Sequence, residues 1–307
     1  MSLASLAMSV PEPIAKPIAS RHRPDRGRLV VSCRDGPGII AAVSRFLADR
    51  GANIVHSDQH TTDPDGGDFF LRMAFDLPGL ADRLAGLANE FSAIEAEFGM
   101  KVRWALEQEN RRIAIFVSGE DHCLLELLWH VRSGDLRAYV ALVISNHAEM
   151  AAVVRPFGIP FHYVPVLPGQ KAAAETMQQS LLEDAAVELI VLARYMQVLS
   201  PAFIARWPNR VINIHHSFLP AFVGARPFFQ AQSRGVKLIG ATAHYTNEDL
   251  DAGPIIEQDV IRVDHRHDVP ALRRMSRAIE RAVLTRAVGW HLEDRVFVTG
   301  NKTVVFS

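Results

Sequence analysis

The sequence is poor in the features that mark several common classes of protein. Its 307 residues include only two cysteines, Cys33 and Cys123. Two are too few for a disulfide framework, and neither shows the paired spacing of a metal site. Both sit among apolar neighbours and read as buried, inert thiols, so no metal is expected. The formal net charge is −1, which gives no general attraction for nucleic acid or an anionic membrane. No apolar run approaches the roughly 20 residues that a membrane helix needs. The opening MSLASLAMSVPEPIAKPIAS lacks a basic start and is interrupted by Pro11 and Pro13. That argues against a secretion signal and for a cytoplasmic protein. There is no internal repeat and no low-complexity tract.

What is present is apolar residue, 49% of the chain, enough for one large domain or two ordinary ones. Residues 1–27 are rich in Pro, Ser and Arg, show no periodicity, and are expected to form a mobile leader. Structure is expected from Arg28. Leu29-Val30-Val31-Ser32-Cys33 reads as a strand, and Arg34-Asp35-Gly36-Pro37-Gly38 as a tight turn. Ile40, Val43, Phe46 and Leu47 recur at helical spacing, and Gly51 stops that helix. Residues 52–55 start a second strand. TTDPDGGD makes a hairpin to a third strand over 69–75. A helix over 80–91 and a closing strand over 101–104 complete a β-α-β-β-α-β order, which indicates a ferredoxin-like sandwich.

The charged break at 108–112 separates residues 28–108 from 111–307. Beyond it, near-continuous apolar strands (113–118, 139–145, 161–164, 189–192) alternate with helices (123–132, 148–155, 171–184, 201–207). This pattern indicates a Rossmann-like, mostly parallel sheet covered on both faces, with sites beyond the strand C-termini. There the strand Val211-Ile212-Asn213-Ile214 delivers polar groups at alternate positions. Asn213 and His215 leave an extended backbone on the same side, and His216 is expected on the other. A second strand over 238–243 leads through His244 and Tyr245 into the acidic loop NEDLDAGP, which contains Asp251. An amide, an imidazole and a carboxylate at a strand end and a loop are suited to attack on a carbonyl. A basic amphipathic helix over 270–292 presents its arginines to solvent. His265-Arg266-His267 reads as a solvated loop, and Asp259 and Asp264 as surface charges.

Two resemblances attach to these residues. DGPGI (35–39) and GANI (51–54) are similar to the ACT domain, a regulatory module that commonly binds amino acids. The resemblance implies an amino-acid effector at Asp35, Gly36, Gly38 and Asn53, held at a helix N-terminus, and a homo-oligomer. NIHHSFLPAF with LDAGPII downstream, together with LARYMQVLS and VISN, resembles the folate-dependent formyltransferase family over 111–307. That family handles the one-carbon unit of 10-formyltetrahydrofolate, here the substrate rather than a permanently bound cofactor.

The resemblance carries catalysis onto Asn213, His215 and Asp251. It carries the pterin contacts, largely through backbone, onto Met196, Gln197, Val198 and Leu199 and onto Asn247, Glu248, Asp249 and Leu250. His216, Thr242 and His244 are expected to support these from behind. The ACT domain placed first, INIHHSFLPAFVGARP, and RVFVTGNKT near the end resemble the family's hydrolytic branch. That branch releases formate and tetrahydrofolate and balances the one-carbon pool of purine synthesis. Ser118-Gly119-Glu120-Asp121-His122 favours the same branch, since two carboxylates there repel the phosphate of an acceptor such as glycinamide ribonucleotide. Formyl transfer to an amine and a folate or amino-acid sensor with weak activity are the alternatives. One departure stands out: members of the branch usually carry an aromatic residue and then a His after GARP, where this chain has Phe228-Phe229.

Overall fold

The computed structural model describes residues 25–220 and 227–307. The leader expected over 1–27 falls outside the described residues up to residue 24, as does 224–226 of the GARP turn. The first half is β1 (Arg26–Arg34), α1 (Ile39–Asp49), β2 (Asn53–Thr61), β3 (Asp68–Asp76), α2 (Leu80–Phe98) and β4 (Lys101–Leu106). These strands form an antiparallel sheet in the order β2-β3-β1-β4. The strand begins two residues before the expected Arg28, because Arg26 is anchored by Asp76 across the ladder, Nε to Oδ1 2.6 Å. The second helix runs past the expected end at Phe91. Ile94 and Phe98 stay against the core, and the stop is Gly99, which caps the helix at φ 60°.

Strand β3 shows why this half does not stand apart from the next. Side chains alternate along it. Phe69, Leu71, Met73 and Phe75 enter the core under α1 and α2. Phe70 and Arg72 leave on the opposite side, where the Phe70 ring lies 5.1 Å from that of Phe297 and Arg72 Nε donates to the Glu293 carbonyl at 3.0 Å.

The second half is β5 (Arg111–Val117), α3 (His122–Ser133), β6 (Ala138–Ser145), α4 (Met150–Val154), β7 (Phe161–Tyr163), α5 (Lys171–Asp184), β8 (Leu189–Leu192), α6 (Pro201–Ala205) and β9 (Val211–His215). It continues with α7 (Pro227–Ser233), β10 (Leu238–Tyr245), β11 (Ile255–Arg262), α8 (Val269–Leu292), β12 (Val296–Thr299) and β13 (Lys302–Val305). Seven strands make one sheet in the order β11-β10-β9-β8-β5-β6-β7. Strands β5 to β9 are parallel, and β10 is antiparallel to both of its neighbours. Alternate residues of each strand face α3, α4 and α8 on one side and α5 and α6 on the other. Burial on both faces is why these strands read as unbroken apolar runs. Caps set two helix starts: Ser200 Oγ accepts from Phe203 N at 3.1 Å, and Asp268 Oδ1 accepts from Ala271 N at 2.8 Å. No helix among the described residues is long and apolar enough to cross a membrane.

The halves meet at Asp294, just past α8. Its carboxylate takes Arg28 of β1 at 3.2 Å, together with Arg103 of β4 and Arg111 of β5. Arg111 also donates to the His291 carbonyl at 3.3 Å.

Candidate active site

Strand β9 ends at the carboxyl edge of the sheet, where open α/β sheets place their sites. The antiparallel β10 pairs with it so that His244 lies opposite Asn213 and Thr242 opposite His215. The loop from Thr246 then folds back under two constraints. Thr246 N donates to the Val211 carbonyl at 3.0 Å, and Tyr245 N to the Pro254 carbonyl at 2.9 Å. The return is so tight that a Cβ on Gly253 would fall 1.8 Å from the Tyr245 carbonyl oxygen, which leaves glycine as the only fit. Asp251 turns inward from this loop with φ 55°, a left-handed conformation that a non-glycine residue adopts only under demand from its surroundings.

The three residues singled out from the sequence come together here. Asp251 Oδ2 lies 3.2 Å from His215 Nδ1. Asp251 Oδ1 lies 3.8 Å from His244 Nε2, which is itself 3.2 Å from Asn213 Nδ2. The protons on His244 can be assigned. Its Nδ1 is 2.9 Å from the Tyr245 carbonyl, which only accepts, so Nδ1 carries the hydrogen. Burial lowers the pKa of this ring and keeps it neutral, leaving Nε2 as an acceptor for the Asn213 amide. One of the two Asn213 amide hydrogens is thereby spent on His244, and the other remains for a ligand. The His215 hydrogen bond, outweighing burial, holds Asp251 below the usual carboxylate range. His215 Nε2 is buried and has no partner among the described residues.

These side chains border a cavity of about 380 Å³. All eight residues assigned to the pterin line it: Met196, Gln197, Val198 and Leu199 on the β8 side, and Asn247, Glu248, Asp249 and Leu250 on the loop. Met196, Val198 and Leu250 expose well over half of their surface, an apolar rim for a flat ring. The Met196 amide is already taken, since it donates to Ser118 Oγ at 2.9 Å, and Ser118 in turn donates to Asn146 Oδ1 at 2.7 Å. Thr246 Oγ1 and Asn247 Oδ1 are buried without partners among the described residues.

Thr242 supports the site from behind. Its hydroxyl donates to the Ser217 carbonyl at 2.9 Å and accepts from Leu219 N at 3.0 Å and Gln258 Nε2 at 2.9 Å, clamping the turn after β9. His216 departs from expectation. The strand ends at His215, so alternation no longer applies, and His216 lines the same cavity with its ring centred 5.1 Å from that of His215. Burial lowers its pKa to about 4. Its ring is also centred 5.6 Å from that of Phe228.

A buried charged group that the sequence did not mark stands behind Arg194, which lines the cavity. Glu280 of α8 is buried, and it accepts from Ser276 Oγ at 2.6 Å and meets His122 Nε2 at 2.9 Å. Arg194, at φ 62°, lies 3.5 Å from Glu280 and 3.4 Å from Glu120. Burial would raise Glu280, but the His122 hydrogen bond and the Arg194 charge outweigh it and hold the carboxyl at about 2. The legible signal was positional: 276 and 280 are one turn apart on the stripe that also carries Leu284 and Ala287, so an acid stood on a buried helix face. His122, Cys123 and Glu280 bring possible metal ligands within 4.8 Å of one another. A cation there would compete with Arg194 for the carboxylate, and burial raises the Cys123 thiol well above its usual pKa, so this donor set suits an ion-pair network better than a metal.

The effector residues are more dispersed. Gly38 caps α1 at φ 92°, Asp35 N donates to the Gly67 carbonyl at 2.8 Å, and Asn53 opens β2 opposite Asp76.

Residues 111–288 match the formyl transferase family and residues 27–88 match the ACT domain. The chain is similar to a formyltetrahydrofolate deformylase of Bacillus subtilis, 55% identical over 283 residues that cover 92% of this chain and 94% of that one. The chain belongs to the formyltetrahydrofolate deformylase family. A deformylase structure from Pseudomonas syringae pv. tomato superposes with a TM-score of 0.88 at 45% identity, covering 92% of this chain and 95% of its own. A glycinamide ribonucleotide transformylase from Symbiobacterium toebii gives 0.62 at 30% identity, over 64% of this chain and 95% of its own. The deformylase likeness thus takes in nearly the whole chain, and the transformylase likeness far less of it.

Proposed function

We propose that this chain hydrolyses 10-formyltetrahydrofolate to tetrahydrofolate and formate, with Asn213, His215 and Asp251 doing the chemistry. The observation that carries the reading is the convergence of these three heads on one cavity, with an amide hydrogen and an imidazole nitrogen left uncommitted. The free Asn213 amide hydrogen donates to the formyl oxygen as it becomes an oxyanion, a contribution of about 3 kcal/mol. The Asp251–His215 pair acts as one unit. It takes a proton from water as the oxygen attacks the formyl carbon, and His215 Nε2 returns that proton to the folate nitrogen as the C–N bond breaks. Such acid–base help is typically about 10²–10⁴-fold. The reaction so written uses water and these side chains. The apolar rim of Met196, Val198 and Leu250 receives the pterin, and the backbone of 196–199 and 247–250, apart from the Met196 amide held by Ser118, reads its edge.

Formate measured from 10-formyltetrahydrofolate, with no amine added, tests this directly. Stoichiometric formate and tetrahydrofolate are expected. Release only when glycinamide ribonucleotide is present would make the enzyme a transferase. In the first half, the backbone amides at the start of α1 beside Gly38 suit an amino-acid carboxylate, and calorimetry with single amino acids is expected to show heat.

A further inference from the structure

The fold is shared with transformylases named for an amine acceptor, so something in this pocket must reserve the formyl group for water. The pterin walls, 196–199 and 247–250, line the cavity on the β8 side and on the loop. Arg194, whose side chain is only 10% exposed, lines the same cavity together with His216. Arg194 is an unusual resident. At φ 62° glycine would sit more easily, yet the position carries a long cation that ordinarily stays in water. Its guanidinium is placed by charge more than by hydrogen bonding: Glu280 and Glu120 lie 3.5 and 3.4 Å away, while Nε is buried without a hydrogen-bond partner among the described residues. Glu280 is in turn fixed by Ser276 and His122. A group held on strained backbone with an unfilled donor is poorly explained by stability.

We propose that Arg194 is the specificity residue that keeps the reaction hydrolytic, by filling the flank from which a primary amine would reach the formyl carbon. The inference rests on the pocket being the formyl site. An amine attacks with its nitrogen lone pair from about 3–3.5 Å, along a path that needs room for the rest of the acceptor. Its new C–N bond would replace the bond to the folate nitrogen, which would leave with the proton that the amine gives up. Arg194 denies that room, which water does not need. With the guanidinium gone, the space it fills opens beside the cavity, and Glu280 and Glu120 lose the cation that both face.

The test is the product ratio, which does not depend on overall rate. The parent and Arg194→Gly are each given 10-formyltetrahydrofolate with glycinamide or glycinamide ribonucleotide, and formylated amine and formate are both quantified. In the parent, formate is expected to account for the turnover. In Arg194→Gly, formylated amine is expected to rise at least tenfold relative to formate, and Arg194→Ala is expected to lie between. A folded Arg194→Gly that still yields formate alone at 10 mM amine overturns the proposal. If that variant does not fold, formate alone from Arg194→Ala overturns it equally. A parent that releases no formate without amine sinks the hydrolase reading itself, and this inference with it.

Discussion

Two aspartates in this protein sit on similar backbone and do different work. Asp251 and Asp294 both adopt left-handed φ, 55° and 57°, and their side chains are 13% and 5% exposed. Asp294 is surrounded by arginines, Asp251 by histidines. Arginine does not give up its proton in a protein, so the Asp294 cluster is a fixed joint. A histidine ring nitrogen can take up and release a proton, so the Asp251 cluster can pass protons. The partners decide whether a shielded carboxylate is structural or chemical.

Substitution should separate the two cleanly. Asp251→Asn is expected to slow formate release by about 10²–10⁴-fold, with a thermal midpoint close to the parent in the same preparation. An unchanged rate would remove Asp251 from the mechanism. Asp294→Asn should do the reverse. Leaving buried arginines uncompensated is expected to cost roughly 3–5 kcal/mol of stability in urea titrations, while kcat of the folded fraction stays near that of the parent.

Acid provides a milder contrast. Burial lowers His216 and His291 to about 4, and it lowers His244 as well. In the unfolded chain these rings titrate near 6.5, so between about pH 6.5 and 4 the unfolded state binds more protons. Stability is therefore expected to fall as pH drops through that window and to be fully retained above it. Asp251, lowered from the usual carboxylate range, acts only below about pH 4, where its contribution is lost. His291→Gln should flatten the slope of unfolding stability between pH 7 and 5. A slope equal to the parent's would show that His291 is not among its sources. The smallest effect belongs to a third acid, Asp264, held low by a hydrogen bond from Arg266 in open solvent. Asp264→Asn is expected to move neither rate nor midpoint, as differential scanning calorimetry and the formate assay can check.

How much of this was legible follows from the range of the interactions. The parallel strands were readable because burial on both faces leaves apolar runs, as in Leu189-Ile190-Val191-Leu192. The shared side of Asn213 and His215 needed only the period of a strand. Asp251 came from the loop motif, since nothing local announces that its carboxylate will meet His215. The pairing of His244 with Asn213 depends on β10 entering antiparallel, a tertiary choice that no short window records. His216 was misplaced because alternation was carried one residue past the strand's end. Arg194 and Glu280 lie 86 positions apart by number and meet only in the fold.

Helix α8 spans 24 residues, about 36 Å at 1.5 Å per residue. It carries Glu280 to Arg194 of the cavity wall, seats His291 2.7 Å from the Tyr245 hydroxyl, and delivers Asp294 to the arginines of the other sheet. Phe297 and Thr299 then clasp Phe70 and Asp68. Sequence order is therefore a poor guide to where this molecule can be taken apart. A protease nick in the exposed connector at 108–110 should leave two fragments that still travel together on a sizing column, because the C-terminal end of the chain closes back over its first sheet.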